Sequence, residues 1–169
     1  MDQFKIIPAT AIADNPFKLI GADWMLITAG SPAAFNTMTA GWGGLGVLWD
    51  KQVAFVFLRP TRHTFGFLEQ APAFTLSFFT EDHRAALEFC GTHSGREVNK
   101  AAKTGLTPLF DRPGAVYFAE ARLVLVCRKI YSQDIDPARF LDPAIAGFYG
   151  ACDYHRLYVG EITQGLSRG

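Results

Sequence analysis

Apolar residues in this chain come in runs of four to eight, nearly all closed by Gly, Pro or a polar turn, and that spacing restricts the fold more than any other feature. Runs of this length suit strands, because a globular helix needs ten or more residues to bury a face. Trp24 to Ala29 ends at Gly30-Ser31-Pro32. Phe35 to Ala40 is rich in Thr. Gly46 to Trp49 and Val53 to Leu58 are joined by Asp50-Lys51-Gln52, and Ala73 to Phe79 follows Pro72. Tyr117 to Cys127 alternates, with Tyr117, Ala119, Ala121, Leu123, Leu125 and Cys127 on one parity, and Arg156 to Ile162 closes the series. The pattern predicts a mainly β barrel or sandwich of about six strands. Helices are expected at Thr64 to Gln70 with Thr64 as cap, at Glu81 to Cys90 with Gly91 beyond it, and at Ser94 to Thr104 stopped by Gly105. Asp136 to Tyr149 is interrupted by Pro and stays open. Strands and helices do not alternate, which argues against a parallel βα sheet.

With 169 residues the chain is expected to form a single domain over 1–169. Its 49% hydrophobic and 19% charged content is far from that of a disordered chain. Fifteen Phe need burial in a core, beneath a planar ligand or against a partner. Sixteen basic and sixteen acidic residues cancel, leaving no polybasic footprint for nucleic acid. No apolar run is long enough to span a bilayer, and Met1-Asp2-Gln3-Phe4-Lys5 lacks the layout of a signal peptide. Three widely spaced Cys make no disulfide framework, so a reducing cytoplasm is expected.

Several motifs carry chemistry on paper. Gly41-Trp42-Gly43-Gly44-Leu45-Gly46 matches G-x-G-x-x-G, but β-like residues follow where a dinucleotide fingerprint needs a helix. Its glycines are read instead as allowing close backbone approach to a flat ligand. Cys90-x-x-His93 and Cys152-x-x-His155 are too far apart to read as a zinc site, and no metal is expected. His63, Asp82, His83 and Ser94 form no nucleophilic triad, and there is no G-x-S-x-G elbow. Arg59-Pro60-Thr61-Arg62-His63-Thr64 follows an apolar strand; it is equally an anion cradle of two guanidinium groups and a hydroxyl, or a solvated turn. Ser94 and Glu97 have capping-box spacing, which would put Lys100 inside a helix as a solvated side chain or one that meets an anion.

Taken together, Asn36-Thr37-Met38-Thr39-Ala40-Gly41-Trp42-Gly43-Gly44 and Arg59-Pro60-Thr61-Arg62-His63-Thr64 resemble the flavin reductase-like, or flavoredoxin-like, family. The likeness runs from Asn15-Pro16 through Ser94-Gly95-Arg96 and Lys100 to Tyr154-His155-Arg156 and Ile162. It implies an FMN-binding split β-barrel with short peripheral helices. Residues Asn36, Thr37, Met38, Thr39, Ala40, Gly41 and Trp42 would lie along the flavin. Arg59, Arg62, His63 and Thr64 would stand at the ribityl phosphate, approached by Ser94 and Lys100. The chain departs from the family's common pattern with Gly41 for Ser, Glu97 and Asn99 for Asp, and His63 for Tyr.

The resemblance also implies an FMN-dependent oxidoreductase of the NAD(P)H:flavin reductase type, with NADH or NADPH as electron donor. No catalytic side chain is named, and His155 is a candidate on the substrate side. A flavoredoxin-like electron carrier reduced by a partner protein is the alternative, as is release of FMN to a partner enzyme. A homodimer is expected from the family habit and from the aromatic excess.

Overall fold

Ten antiparallel strands realise the apolar runs. In the computed structural model, which describes residues 4–168, they are β1 (Lys5–Ile7), β2 (Met25–Gly30), β3 (Phe35–Ala40), β4 (Gly43–Leu48), β5 (Lys51–Leu58), β6 (Ala73–Phe78), β7 (Pro108–Arg112), β8 (Ala115–Phe118), β9 (Leu123–Asp134) and β10 (Arg156–Ser167). The main sheet runs β3-β2-β6-β9-β10-β5-β4, with β1 added beside β10, and β7 and β8 form a separate hairpin. Its two ends, β3 and β4, are consecutive in the chain and joined only through Gly41-Trp42. The barrel is therefore split at a seam whose free edges the sequence itself holds together.

The main sheet has eight strands where about six were expected: the runs read from the sequence supply β2 to β6, β9 and β10, with β4 beginning three residues before the run read at Gly46, and the N-terminal β1 pairs as well. The alternation read through Tyr117 to Cys127 is not one strand. The chain turns at Ala119–Arg122 between β8 and β9, and parity survives the turn by coincidence. The β4–β5 turn is Trp49-Asp50, both with positive φ (51° and 56°), so the hairpin closes one residue earlier than the polar run suggested. A two-residue hairpin requires that geometry, and Trp49 meets the Tyr131 ring edge-on at 5.9 Å.

The helices are α1 (Pro16–Gly21), α2 (His63–Gln70), α3 (Arg84–Thr92) and α4 (Lys100–Thr104). Sequence periodicity misses α1, which is too short to show a face. Its signal is the cap: Asn15 Oδ1 accepts from the Phe17 and Lys18 amides, with Pro16 in the first helical position. The helix expected from Ser94 is reduced to α4. Ser94 Oγ accepts from the Arg96 amide and the Ser94 carbonyl from those of Glu97 and Val98, so 94–98 is a turn rather than a capping box. Asn99 is the real cap, through Oδ1 and the Ala102 amide, and Gly105 ends α4 at φ 72° as expected. The open stretch 136–149 forms two 3₁₀ turns, Pro137–Arg139 and Pro143–Phe148, each capped by an Asp side chain.

Two cores share the central strands. The barrel interior gathers Ile27, Ala29, Met38, Val56, Phe74, Leu125 and Cys127, with α2 contributing Leu68. The other faces of β2 and β9 turn Leu26, Val124 and Val126 outward against α3, α4 and the β7–β8 hairpin. Burial on both faces accounts for the near-continuous apolar residues of β2 and of the first five residues of β9. Gly160 sits where a Cβ would lie 2.5 Å from Phe74 Cζ, so its bare backbone lets that ring fill the barrel.

Candidate functional site

Three segments converge on the free edge of β3: the β5–α2 turn (59–64), the turn after α3 (91–100) and the stretch before β10 (148–155). Between them lie two clefts that meet at Met38. The first, of about 360 Å³, is walled by Trp24, Thr39 to Trp42, Phe57, Arg59 and His155. The second, of about 130 Å³, is lined by Arg62, His63, Thr64, Ser94, Gly95 and Lys100, with Thr61, Thr92 and His93.

The β3 edge is available because, among the described residues, no strand but β2 pairs with it. The Thr37 carbonyl turns away from β2 to accept from Lys100 Nζ at 2.8 Å. Strand alternation puts the main-chain N–H and C=O of Thr39 on the same outer edge, a donor and acceptor facing the first cleft. The Thr37 hydroxyl points inward instead, 2.8 Å from Thr28 Oγ1, and Thr39 Oγ1 donates to the Leu87 carbonyl of α3. Both threonines thus offer a ligand their backbone, with their side chains committed to packing. Asn36 is buried and donates from Nδ2 to Thr64 Oγ1 at 2.8 Å, tying β3 to α2.

The Arg59–Thr64 segment divides between the two clefts. Arg59 donates to Asp153 Oδ1 at 2.7 Å and to the Phe148 carbonyl at 2.8 Å, and its guanidinium lies over the Tyr149 ring. It therefore borders the first cleft with its charge already matched. Arg62 turns the other way and donates to the Gly91 carbonyl at 2.8 Å. Lys100 is buried, donating to the Thr37 and Cys90 carbonyls. Among the described residues, the ion pairs within 4 Å include Arg59 but none of Arg62, His63, Arg96 or Lys100. Cations gathered without a carboxylate are costly, since each loses hydration and repels the others.

That cost appears in their acidities. Burial pulls the Lys100 ammonium down to about 8, opposed by the Cys90 thiol and aided to a lesser degree by neighbouring Arg62. Burial and then Arg59 lower Arg62. Burial, Arg96 and Lys100 lower His63. Such a cluster is stabilised by an anion carrying more than one charge and several acceptor oxygens.

His155 is buried at the first cleft, with Nδ1 2.8 Å from the Tyr149 hydroxyl and its ring beside Trp42 at 5.4 Å. Burial and the Arg59 charge lower its pKa, opposed by Asp153, so it is neutral near pH 7. The sequence reading missed Trp24 and Phe57, which line the cleft, and Tyr149 and Asp153, which hold its His155 and Arg59. It also left out Gly95, where a Cβ would overlap the Asn36 amide, so the turn lies flush on β3 only because the residue is glycine. Gly41 is explained in the same way. A Cβ there would come within 2.9 Å of Trp24 Cδ1, so Trp24 occupies the space a Ser would need.

No group of three or more His, Cys, Asp or Glu is placed to hold a metal among the described residues. Cys90 is buried in the second core and Cys152 is exposed. No described helix is long and apolar enough to cross a membrane.

A model of the flavin reductase like domain matches residues 18–168. Among solved structures, an FMN-binding domain of a flavin reductase-like enzyme from Shewanella baltica superposes with a TM-score of 0.71 at 18% identity, covering 99% of this chain and 78% of that one. Flavoredoxin of Desulfovibrio vulgaris gives 0.66 at 20% identity, covering 94% and 75%. An NADH:FAD oxidoreductase of Streptomyces globisporus, solved with NAD and FAD fragments, gives 0.62 at 16%, covering 85% and 73%. No curated protein sequence matches the chain.

Proposed function

The chain belongs to the flavin reductase-like domain family, and from that premise we propose that it is an FMN-dependent oxidoreductase of the NAD(P)H:flavin reductase type. The observation that carries the reading is the carboxylate-free cluster of Arg62, His63 and Lys100 beside an apolar slot on an unpaired strand edge. A flavin mononucleotide has the matching parts: a flat ring with a polar rim, and a phosphate at the end of a short chain. Arg62, Lys100, Ser94 and the 59–64 turn would hold the phosphate. The outer edge of β3 from Thr37 to Gly41 would bond the ring's polar rim, with Met38, Ala40 and Trp42 against its faces. Bound FMN would supply the redox chemistry, taking hydride from NADH or NADPH and passing electrons to an acceptor.

The protein's part is to orient and to exclude water. Trp24 fills the space beside Gly41, and Gly43 faces Phe55 and Met25, so a nicotinamide would approach from the open, solvent side of the cleft beside exposed Trp42. His155, neutral and held by Tyr149, would border that open side. The domain is read as acting in the cytoplasm, as a homodimer. Phe17, Trp42 and Val47 are exposed near the unpaired edge of β4, an apolar surface that suits a second copy.

Anaerobic stopped-flow mixing of the FMN-loaded protein with NADH and NADPH tests the activity. Bleaching of the flavin absorbance at a rate that saturates with one of them is expected. If neither bleaches it within minutes while dithionite does, the reductase reading fails. A flavoredoxin-like carrier, reduced by a partner protein, then takes its place.

A further inference from the structure

Trp24 enters the first cleft from a backbone conformation that bulky residues rarely adopt. It lies between α1 and β2 with φ at 66°, in the left-handed region. Trp49 and Asp50 share that geometry because their two-residue hairpin requires it, but no hairpin closes at Trp24. Its neighbours hold it in place. Arg84 donates to the Ala22 carbonyl at 2.8 Å and lays its guanidinium over the indole, 4.4 Å from the ring centroid. The Asp23 amide bonds the Lys18 carbonyl, and the Asp23 carboxylate meets Lys18 Nζ at 2.6 Å. Strained residues persist where their surroundings over-determine them, and they cluster at ligand sites.

What this arrangement fixes is the direction of the indole's polar edge. A Cβ at Gly41 would lie 2.9 Å from Trp24 Cδ1 and 3.1 Å from Nε1, so the edge carrying the N–H looks onto Gly41, within the first cleft. Any side chain at position 41 would stand against that edge, and glycine leaves it open. The hydrogen bonds that hold the loop leave the N–H without a protein acceptor among the described residues. Nor is it sealed from solvent: the buried, unpartnered side-chain polar atoms among those residues belong to Ser77, His83, Arg112 and Arg168. The indole also packs against the second core, but that packing needs only an apolar ring. A donor left open in a largely apolar slot suits a ligand's acceptor.

We propose that the Trp24 indole N–H is a flavin-binding donor, which bonds a carbonyl oxygen on the ring's polar rim and bonds it more strongly once the ring is reduced. The proposal rests on the flavin reading above. Reduction puts negative charge on that rim, and a hydrogen bond to a charged acceptor is about twice as strong as one to a neutral acceptor. Trp24 therefore orients the ring and also favours its reduced form, which an apolar side chain could not do.

Trp24→Phe tests the assignment, since it keeps an aromatic ring for Arg84 and the second core and removes the donor. Titration calorimetry should show FMN and riboflavin weakened equally, by about three- to tenfold. The two-electron potential of bound FMN should fall by about 30 mV, a tenfold shift in the redox equilibrium. Benzothienylalanine at position 24, which has the shape of Trp with sulfur in place of the N–H, should give the same fall if the phenylalanine variant does not fold. An unchanged potential in whichever variant folds overturns the donor role even where affinity drops, because lost packing weakens both redox states alike. Failure of the unaltered protein to bind either flavin would overturn the flavin reading itself.

Discussion

Raising the pH through 8 should release FMN while leaving riboflavin in place. Lys100 is 5% exposed and is bonded to two carbonyls. Its pKa is about 8 instead of the usual 10.5, because burial disfavours the ammonium. A phosphate beside it favours the charged form and raises that pKa, so by linkage the affinity falls wherever the free protein has lost the proton and the complex still holds it. If the bound anion restored the ordinary value, affinity would drop about two hundred-fold between pH 7 and pH 11, at up to tenfold per unit of pH. One charge-assisted hydrogen bond, worth about 1.5 to 3 kcal/mol, sets a lower bound near tenfold. The measurement is the ratio of FMN to riboflavin dissociation constants from pH 7 to 10.5, by titration calorimetry. The ratio cancels any ionisation of the shared ring. Unfolding through this group cannot mimic the effect. The folded pKa lies below the unfolded one, so its contribution to stability rises with pH between about 8 and 10.5. A flat ratio across that range, or the same slope in Lys100→Met, would refute the argument.

Arg62→Ala should weaken FMN ten- to a hundredfold and barely change riboflavin, since Arg62 lines the cation pocket and not the slot; equal losses in a titration would place the phosphate elsewhere. Gly41→Ser should lower the melting temperature, because the new Cβ meets Trp24 Cδ1 at 2.9 Å and overpacking costs about 1 to 3 kcal/mol. In a Trp24→Ala background the same change should cost little, which a double-mutant cycle of thermal melts measures. Sedimentation equilibrium at micromolar concentration should give twice the chain mass, and Val47→Glu on β4 should shift it toward the monomer; a monomer with FMN bound would defeat the dimer.

Much of the architecture was present in the order of residues. The apolar runs marked most of the strands because β2, β6 and the first five residues of β9 are buried, which favours apolar residues there, with Thr28, Thr75 and Ser77 as the buried polar exceptions. Gly105 announced the end of α4, where only glycine takes a left-handed φ without strain. The pairing of the Asn36–Trp42 and Arg59–Thr64 blocks identified the family, since an edge strand and a cationic turn are local patterns that survive in sequence.

What local pattern could not supply was direction and distance. Arg59 and Arg62 are three residues apart and read as one cradle. Asp153, ninety-four positions from Arg59, draws the first guanidinium to the slot and leaves the second to the cation pocket. The resemblance placed Thr37 along the flavin, and the register of β2 against β3 turns its hydroxyl onto Thr28. Lys100 looked solvated from its neighbours, yet the turn at Gly95 and the end of α3 bury it against two carbonyls. Sequence determined which segments become strands, because burial and backbone preference act within a few residues. Only the tertiary structure decided which charges meet, because Coulomb attraction and desolvation depend on separations set by strands distant in the chain.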